Sequence, residues 1–154
     1  IEAVALASAR LFTDAGRLHE AQTLLEAVLA TTSARDSGSR VGGVVALARC
    51  LFWQGRYQES AHVLAQVDTE GRQPGAASGY EAVRAVVALG RGNLADAVAS
   101  AARARDAANG PHADAARAQA CYIVALVQLA CGGLVQADAA AADAQAAARR
   151  AHHP

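Results

Sequence analysis

Apolar and small residues recur along the chain with the three- and four-residue spacing of an amphipathic helix, in eight segments separated by short polar stretches. No segment shows the alternation of a half-buried strand, so the pattern predicts an all-α protein. The predicted helices span residues 2–14, 18–32, 40–54, 57–68, 79–91, 94–108, 112–131 and 134–150.

The chain also repeats itself around four glycines, and similar segments follow them: GRLHEA, GRYQESA, GNLADA and GGLVQA. These glycines are Gly16, Gly55, Gly92 and Gly132, at intervals of 39, 37 and 40 residues. An alanine lies seven residues before each glycine, and a stripe of mostly apolar residues begins two residues after it. Because a small side chain lets two helices approach closely, each copy is interpreted as helix, glycine turn, helix.

Local signals mark where the copies begin and end. Ser78 and Glu81 have the spacing of a capping box, so we expect the fifth helix to begin beside them. Asn93, with Asp96 three residues later, is typical of the start of the sixth helix. Polar linkers containing Gly, Pro or Ser separate the copies, which span about residues 1–36, 37–74, 75–110 and 111–154.

An isolated helical pair of this size cannot bury its apolar stripe, so we expect the four units to stack as one α-solenoid domain. The alternative, a pair of four-helix bundles, gives no reason for the glycine register to recur four times. Because the first residue is Ile1 rather than Met, we expect the chain to be a segment of a longer protein. The alanine-rich, weakly amphipathic last helix indicates that the array continues there or that a dimer mate covers it.

The second copy resembles a tetratricopeptide repeat (TPR) most closely. Its segment LFWQGRYQESA, at residues 51–61, lies between Ala48 and Leu64 and resembles the family pattern of small residue, turn glycine and aromatic residue, with Ser60 at the position of the later alanine. The resemblance extends over nearly the whole chain, although the period is 37 to 40 residues rather than about 34 and no proline closes each copy. It implies a right-handed α-α superhelix of four TPR-like helix-turn-helix units.

Longer repeats with such turns are similar to those in large bacterial transcriptional regulators, both the LuxR-like ATP-binding and the sigma-54-dependent Fis-type proteins. The resemblance implies a non-catalytic interaction or regulatory module that binds a peptide or a neighbouring domain in a concave groove. The first helix of each unit would line that groove. Two alternatives stay open: a small-molecule sensor with an apolar site near Tyr122 and Ile123, and a scaffold that self-assembles, for example as a homodimer.

Carrying the groove positions of the family over to this chain selects nine residues. They are Arg10, Asp14, Arg49, Trp53, Val83, Val86, Tyr122, Ile123 and Leu126. The first half of this groove would place guanidinium groups beside Trp53, which suits carboxylates, and the second half would be apolar. We therefore expect an acidic-plus-apolar peptide. Trp53 is equally compatible with packing between the first two units, and the apolar residues are compatible with core positions.

Composition excludes several classes of function. The 14 basic residues, all arginine, balance 14 acidic ones, so no net charge attracts nucleic acid or an anionic membrane. No apolar run approaches the roughly 20 residues of a membrane span, and no secretion signal opens the chain, so we expect a cytoplasmic location. Metal-protease, hydrolase and dinucleotide motifs are absent, and a chain without lysine has no Walker A site. We expect no catalysis, cofactor or metal.

The three cysteines, Cys50, Cys121 and Cys131, form no CxxC motif and lie among apolar residues of the predicted helices. We expect them to be small core residues. A disulfide between Cys121 and Cys131 requires two separate turns to approach each other, and a reducing compartment opposes it.

Overall fold

A computed structural model describes residues 2–31, 37–67, 74–110 and 113–152. These residues form eight helices and no strand, which confirms the prediction of an all-α protein. The helices are α1 (Glu2–Asp14), α2 (Leu18–Thr31), α3 (Ser37–Trp53), α4 (Tyr57–Ala65), α5 (Pro74–Gly90), α6 (Leu94–Ala107), α7 (Asp114–Ala130) and α8 (Leu134–His152). Within the described ranges, no helix has the length and apolar character needed to cross a membrane.

Two helices begin earlier than predicted. Helix α3 starts at Ser37 instead of residue 40, and α5 starts at Pro74 instead of residue 79. Proline is well tolerated in the first turn, where its missing N–H needs no helical partner. The capping box predicted at Ser78 and Glu81 is therefore wrong, because both residues lie inside α5. The predicted linkers otherwise fall largely on residues 32–36, 68–73 and 111–112, outside the described residues.

The chain divides into two compact units, Ile1–Asp68 (unit 1) and Thr69–Pro154 (unit 2). Unit 1 holds helices α1 to α4, and unit 2 holds α5 to α8. In each unit, consecutive helices pack together and the first helix also packs on the third, α1 on α3 and α5 on α7. This is the contact pattern of two hairpins stacked side by side. The single domain of four stacked repeats stays a prediction.

The same glycine turn closes all four hairpins. Each turn glycine has a positive φ, between 74° and 80°, which glycine adopts without the strain of a Cβ atom. In the second turn, the Gly55 N–H donates to the Phe52 carbonyl at 2.9 Å, and the Arg56 N–H donates to the Leu51 carbonyl at 2.9 Å. The equivalent two hydrogen bonds occur at the other three turns. The predicted glycine turn is therefore a Schellman motif repeated four times.

The two helices of a hairpin cross closely where small residues were predicted. In unit 1 the buried Ser60 Oγ of α4 donates to the Ala48 carbonyl of α3 at 2.6 Å. Ala48 lies seven residues before the turn glycine, and Ser60 lies five after it. The equivalent pair in unit 2, Ala85 and Ala97, is fully buried. A larger side chain at either position would force the helices apart.

Some local predictions hold and others fail. The Asn93 side chain accepts a hydrogen bond from the Asp96 N–H at 3.3 Å, as the predicted N-cap requires. In the last helix, the predicted apolar stripe that begins two residues after Gly132 includes Leu134, Ala137 and Ala141, of which Ala137 is buried and the other two are exposed. Ala140 and Ala147, which lie beside this stripe, are buried. The contacts of α8 thus follow a slightly rotated face of the helix.

The cysteines depart partly from expectation. Cys50 and Cys121 are buried, but Cys131 is exposed just after α7, so the prediction of a core position is wrong for Cys131. All three thiols are free, and the Cys121–Cys131 disulfide is not formed. Burial raises the pKa of the Cys50 and Cys121 thiols above their usual range, which disfavours the reactive thiolate.

Candidate functional site

Four of the predicted groove residues lie on two adjacent helices of unit 1. Arg10 and Asp14 are on α1, and Arg49 and Trp53 are on α3. Within each pair the residues are four positions apart, so both side chains belong to one side of their helix. Because α1 packs on α3, the structure brings residues of the two helices to one surface, which we call the α1–α3 site.

The α1–α3 site carries excess positive charge. Arg49 is half-buried, and its burial is the largest cause that lowers the pKa of its guanidinium. The charge of Arg10 lowers that pKa further, and the carboxylate of Asp14 raises it. Among the described residues, Arg10, Asp14 and Arg49 form no ion pair within 4.0 Å. The single carboxylate of Asp14 therefore offsets only part of the positive charge of the two guanidinium groups. Both groups remain available to bind an anion.

Trp53 completes this surface with an exposed aromatic ring. The residue is 58 % exposed, which excludes the alternative that it is a core residue. Its indole contacts the Phe52 ring edge-on, with centroids 5.2 Å apart, and Phe52 in turn contacts Tyr57 at 5.5 Å. These contacts hold the indole at the end of α3 while it stays accessible. Such a ring offers apolar contact area beside the arginines.

A polar network that the sequence analysis did not identify fixes the end of α3 next to Trp53. The Gln54 Nε2 donates to the Gln22 Oε1 of α2 at 3.0 Å. The Arg56 Nη1 donates to the same Gln22 oxygen at 2.9 Å, and the Arg56 Nε donates to Glu59 at 2.8 Å. The repeated segments GRLHE and GRYQE could have indicated part of this network, because the arginine and the glutamate of each segment form an ion pair.

The predicted groove residues of unit 2 do not form a comparable surface. Val83, Val86 and Ile123 are all buried, so they are core residues, as the packing alternative expected. Leu126 is half-buried and Tyr122 is exposed on α7. Tyr122 and Ile123 lie on different sides of that helix, and the structure does not bring them together in one apolar site.

The described part of the chain is thus an all-α protein of paired helical hairpins, and its candidate site combines Arg10, Asp14 and Arg49 with the exposed Trp53 one turn further along α3. No family model, no curated protein and no solved structure matches the chain.

Proposed function

We propose that this chain is a non-catalytic interaction module and that its α1–α3 site binds an acidic peptide carrying an apolar or aromatic side chain. That peptide belongs to another protein or to a neighbouring domain of the same polypeptide. The observation that carries the proposal is the half-buried Arg49 beside Arg10, with no ion-pair partner for either among the described residues.

The chemistry of the site selects a carboxylate. Burial, and then the charge of Arg10, lower the pKa of Arg49, and an anion bound between the two arginines opposes both effects. A hydrogen bond to a charged group contributes about 1.5–3 kcal/mol. Trp53 lies one helical turn beyond Arg49 on α3, so an apolar residue of the peptide would lie on the indole. Asp14 disfavours a second carboxylate nearby, which favours a peptide that combines acidic and apolar residues.

The wider setting that we propose is a right-handed superhelix of four TPR-like units in a cytoplasmic bacterial transcription regulator. The repeated Schellman turn and the packing of first helix on first helix in each unit support a repeat architecture. In such a setting the module would connect a regulatory partner to another part of the regulator without contacting nucleic acid itself.

The single tryptophan of the chain makes this proposal testable, because Trp53 fluorescence reports on the site directly. We would titrate the protein with a short peptide of alternating glutamate and leucine, and with a matched peptide in which glutamine replaces glutamate. The acidic peptide should change the emission, and its affinity should fall as salt is raised, because the guanidinium groups are partly solvent-accessible. Equal binding of the two peptides would contradict a site selective for carboxylates.

Two variants locate the binding. Arg49→Ala and Arg10→Ala should each weaken binding of the acidic peptide about tenfold, or about 1.4 kcal/mol, because each removes one charge-assisted contact. Arg117→Ala is the matched control, since Arg117 is exposed on α7 in the other unit. Circular dichroism should show unchanged helicity in all three variants. If Arg117→Ala weakens binding as much as Arg49→Ala, the α1–α3 site is not the binding surface.

A further inference from the structure

Unit 2 holds a groove between its two second helices, α6 and α8. Both helices pack on α7 but not on each other, so α7 forms the floor between them. The buried side chains of Cys121 and Val124 line this floor. The space has a volume of about 250 Å³, and we call it the α6–α8 groove. Pockets that hold drug-sized ligands measure about 300–1,000 Å³, so this groove fits a smaller molecule.

One end of the α6–α8 groove carries opposite charges on its two walls. Arg105 of α6 and Asp143 of α8 both line the groove, and neither forms an ion pair within 4.0 Å with a described residue. Both charges act on the thiol of Cys121. Burial raises the pKa of this thiol most, Asp143 raises it further, and Arg117 and then Arg105 lower it. A guanidinium and a carboxylate therefore border the same space without direct contact.

The other end of the groove offers two amide oxygens beside the last glycine turn. Gln128 of α7 and Gln136 of α8 line the groove there. A Cβ atom added to Gly133 would lie 2.9 Å from the Oε1 of Gln128 and 3.2 Å from the Oε1 of Gln136, so both oxygens approach one small volume. Neither side-chain amide forms a hydrogen bond with a described residue. This end of the groove can therefore accept hydrogen bonds from a ligand.

The equivalent groove of unit 1 already holds a guanidinium, which belongs to the chain itself. Arg56 lines that groove and corresponds to Gly133, since each follows its turn glycine directly. The Arg56 Nη1 donates to the Gln22 Oε1 of α2 at 2.9 Å, and the Arg56 Nε donates to Glu59 of α4 at 2.8 Å. Glu59 corresponds to Gln136, because each lies four residues after the turn glycine. In unit 2, glycine replaces the arginine and leaves the hydrogen-bond acceptors to an external cation.

We propose that the α6–α8 groove binds a free basic α-amino acid such as arginine. The α-carboxylate of the ligand accepts hydrogen bonds from Arg105, and its α-ammonium donates to Asp143. Its guanidinium donates to the amide oxygens of Gln128 and Gln136. Gln136 and Asp143 are seven residues apart on α8, or about 10 Å along the helix axis, which an extended arginine spans. A residue inside a peptide has neither the α-ammonium nor the α-carboxylate, so the charged end selects a free amino acid.

The middle of the groove suits the aliphatic part of such a ligand. Val124 lies on the floor, and Ala139 and Ala140 of α8 present only methyl groups. The methylene groups of arginine lose contact with water on this surface, while its two charged ends stay beside polar groups. The groove lies in unit 2, so this inference is independent of the peptide proposed for the α1–α3 site of unit 1.

Calorimetric titration of the protein with L-arginine tests the proposal, and we expect one molecule bound per chain. Agmatine lacks the carboxylate and δ-guanidinovalerate lacks the α-ammonium, so each should bind at least about tenfold more weakly than arginine. Norleucine, which lacks the guanidinium, should also bind more weakly. Absence of arginine binding at millimolar concentration would overturn the proposal. Agmatine that binds as tightly as arginine would overturn it too, because the groove would then not recognise an α-amino acid.

Two variants with matched controls locate the bound arginine. Arg105→Gln and Asp143→Asn each remove a charge from an exposed side chain and should weaken binding about tenfold. Arg149→Gln and Asp138→Asn are the controls, because both residues are exposed on α8 and do not line the groove. Circular dichroism should show unchanged helicity in all four variants. A control that weakens binding as much as its matched variant would place the arginine elsewhere.

A further variant tests the space inside the groove. Ala139 is exposed and lines the groove, so Ala139→Leu adds volume there without entering the core, and leucine keeps a high helix propensity. This substitution should weaken arginine binding at least about tenfold. Ala141→Leu is the control, because Ala141 is exposed on the opposite side of α8. If Ala139→Leu bound arginine as tightly as the unsubstituted protein, the ligand would not lie in the α6–α8 groove.

Discussion

Units 1 and 2 share one scaffold but present different chemistry. Both consist of two hairpins closed by the same Schellman turn, with the first helix packed on the third. In unit 1 the position six residues before the turn glycine holds Arg10 and Arg49, which remain at least partly accessible. In unit 2 the same position holds Val86 and Leu126, buried and half-buried respectively. The repeat therefore fixes the backbone, and single positions decide whether a surface is polar or apolar.

The two units also build their cores differently. Unit 1 has a cluster with bulky members, in which Leu25, Leu47 and Leu51 pack with Cys50 and small alanines. Unit 2 also buries bulky residues such as Val87, Ile123 and Val127, but many of its buried positions are alanines, and ion pairs join neighbouring helices at their edges. The free energy of unfolding of unit 1 should therefore depend on the volume of its buried side chains. That of unit 2 should depend on how closely its helices approach each other.

The largest effect is expected from Leu25→Ala in unit 1. Leu25 is 1 % exposed, and its removal leaves a cavity, so the free energy of unfolding should fall by about 3 kcal/mol. Urea unfolding followed by Trp53 fluorescence measures this, because the only tryptophan lies in unit 1. The residue at the equivalent position of unit 2 is already an alanine, Ala101. If the free energy of unfolding fell by less than about 1 kcal/mol, the stability of unit 1 would not depend on the volume of the Leu25 side chain.

The opposite substitution should damage unit 2. Ala97 is fully buried at the close crossing of α5 and α6, so Ala97→Val adds volume where the helices touch. We expect a loss of about 2 kcal/mol in the free energy of unfolding, measured by circular dichroism. The matched control is Val98→Ala, since Val98 is partly exposed on the next position of α6. If Ala97→Val left the free energy of unfolding unchanged, the stability of unit 2 would not depend on the close approach of α5 and α6.

The shared turn predicts equal, smaller effects in the two units. Gly55→Ala and Gly92→Ala place a Cβ atom on a residue with φ of 75°, so each should destabilise its unit by about 1 kcal/mol. Gly110→Ala is the control, because Gly110 does not have a positive φ and no atom lies within 4 Å of its added Cβ. Thermal unfolding measures all three. Unequal losses at Gly55 and Gly92 would show that the two turns differ energetically.

The smallest effect concerns the exposed pair Arg56–Glu59 of unit 1. The hydrogen bonds from Arg56 hold the pKa of Glu59 below its usual range. Because the folded pKa is lower than the unfolded one, the stabilisation is present above the unfolded pKa and is lost as pH falls through the folded pKa. Arg56→Ala should raise the pKa of Glu59, which NMR titration of its side-chain carboxyl carbon can follow. An unchanged pKa would exclude Arg56 as the cause.

Periodicity predicted the helices and turns well because both are local. The spacing of apolar residues located all eight helices, and the glycines located the turns that end four of them. The start of α5 was missed because the capping signal at Ser78 competes with a proline four residues earlier that also permits a helix to begin. The Ser78 Oγ instead donates to the Ala104 carbonyl of α6 at 2.9 Å, a tertiary contact that no local pattern contains.

The candidate site was harder to predict, because burial depends on the neighbours that a helix acquires. The positions of Arg10 and Arg49 were selected by repeat register, but the same rule also selected Val83 and Val86, which are core residues. Ion pairs between helices were missed for a related reason. Arg103 reaches Glu81 across 22 residues of sequence, and helix periodicity does not specify which charged side chains meet.

The repeated Schellman turn has a consequence for how such a chain can change over evolution. Because each hairpin ends in the same backbone geometry, duplicating or deleting a stretch of about 39 residues leaves every remaining turn intact. Recombination that adds or removes one copy therefore preserves the hydrogen bonds that end the first helix of each remaining hairpin. Point substitutions on the faces of the hairpins are then free to diversify what each copy recognises.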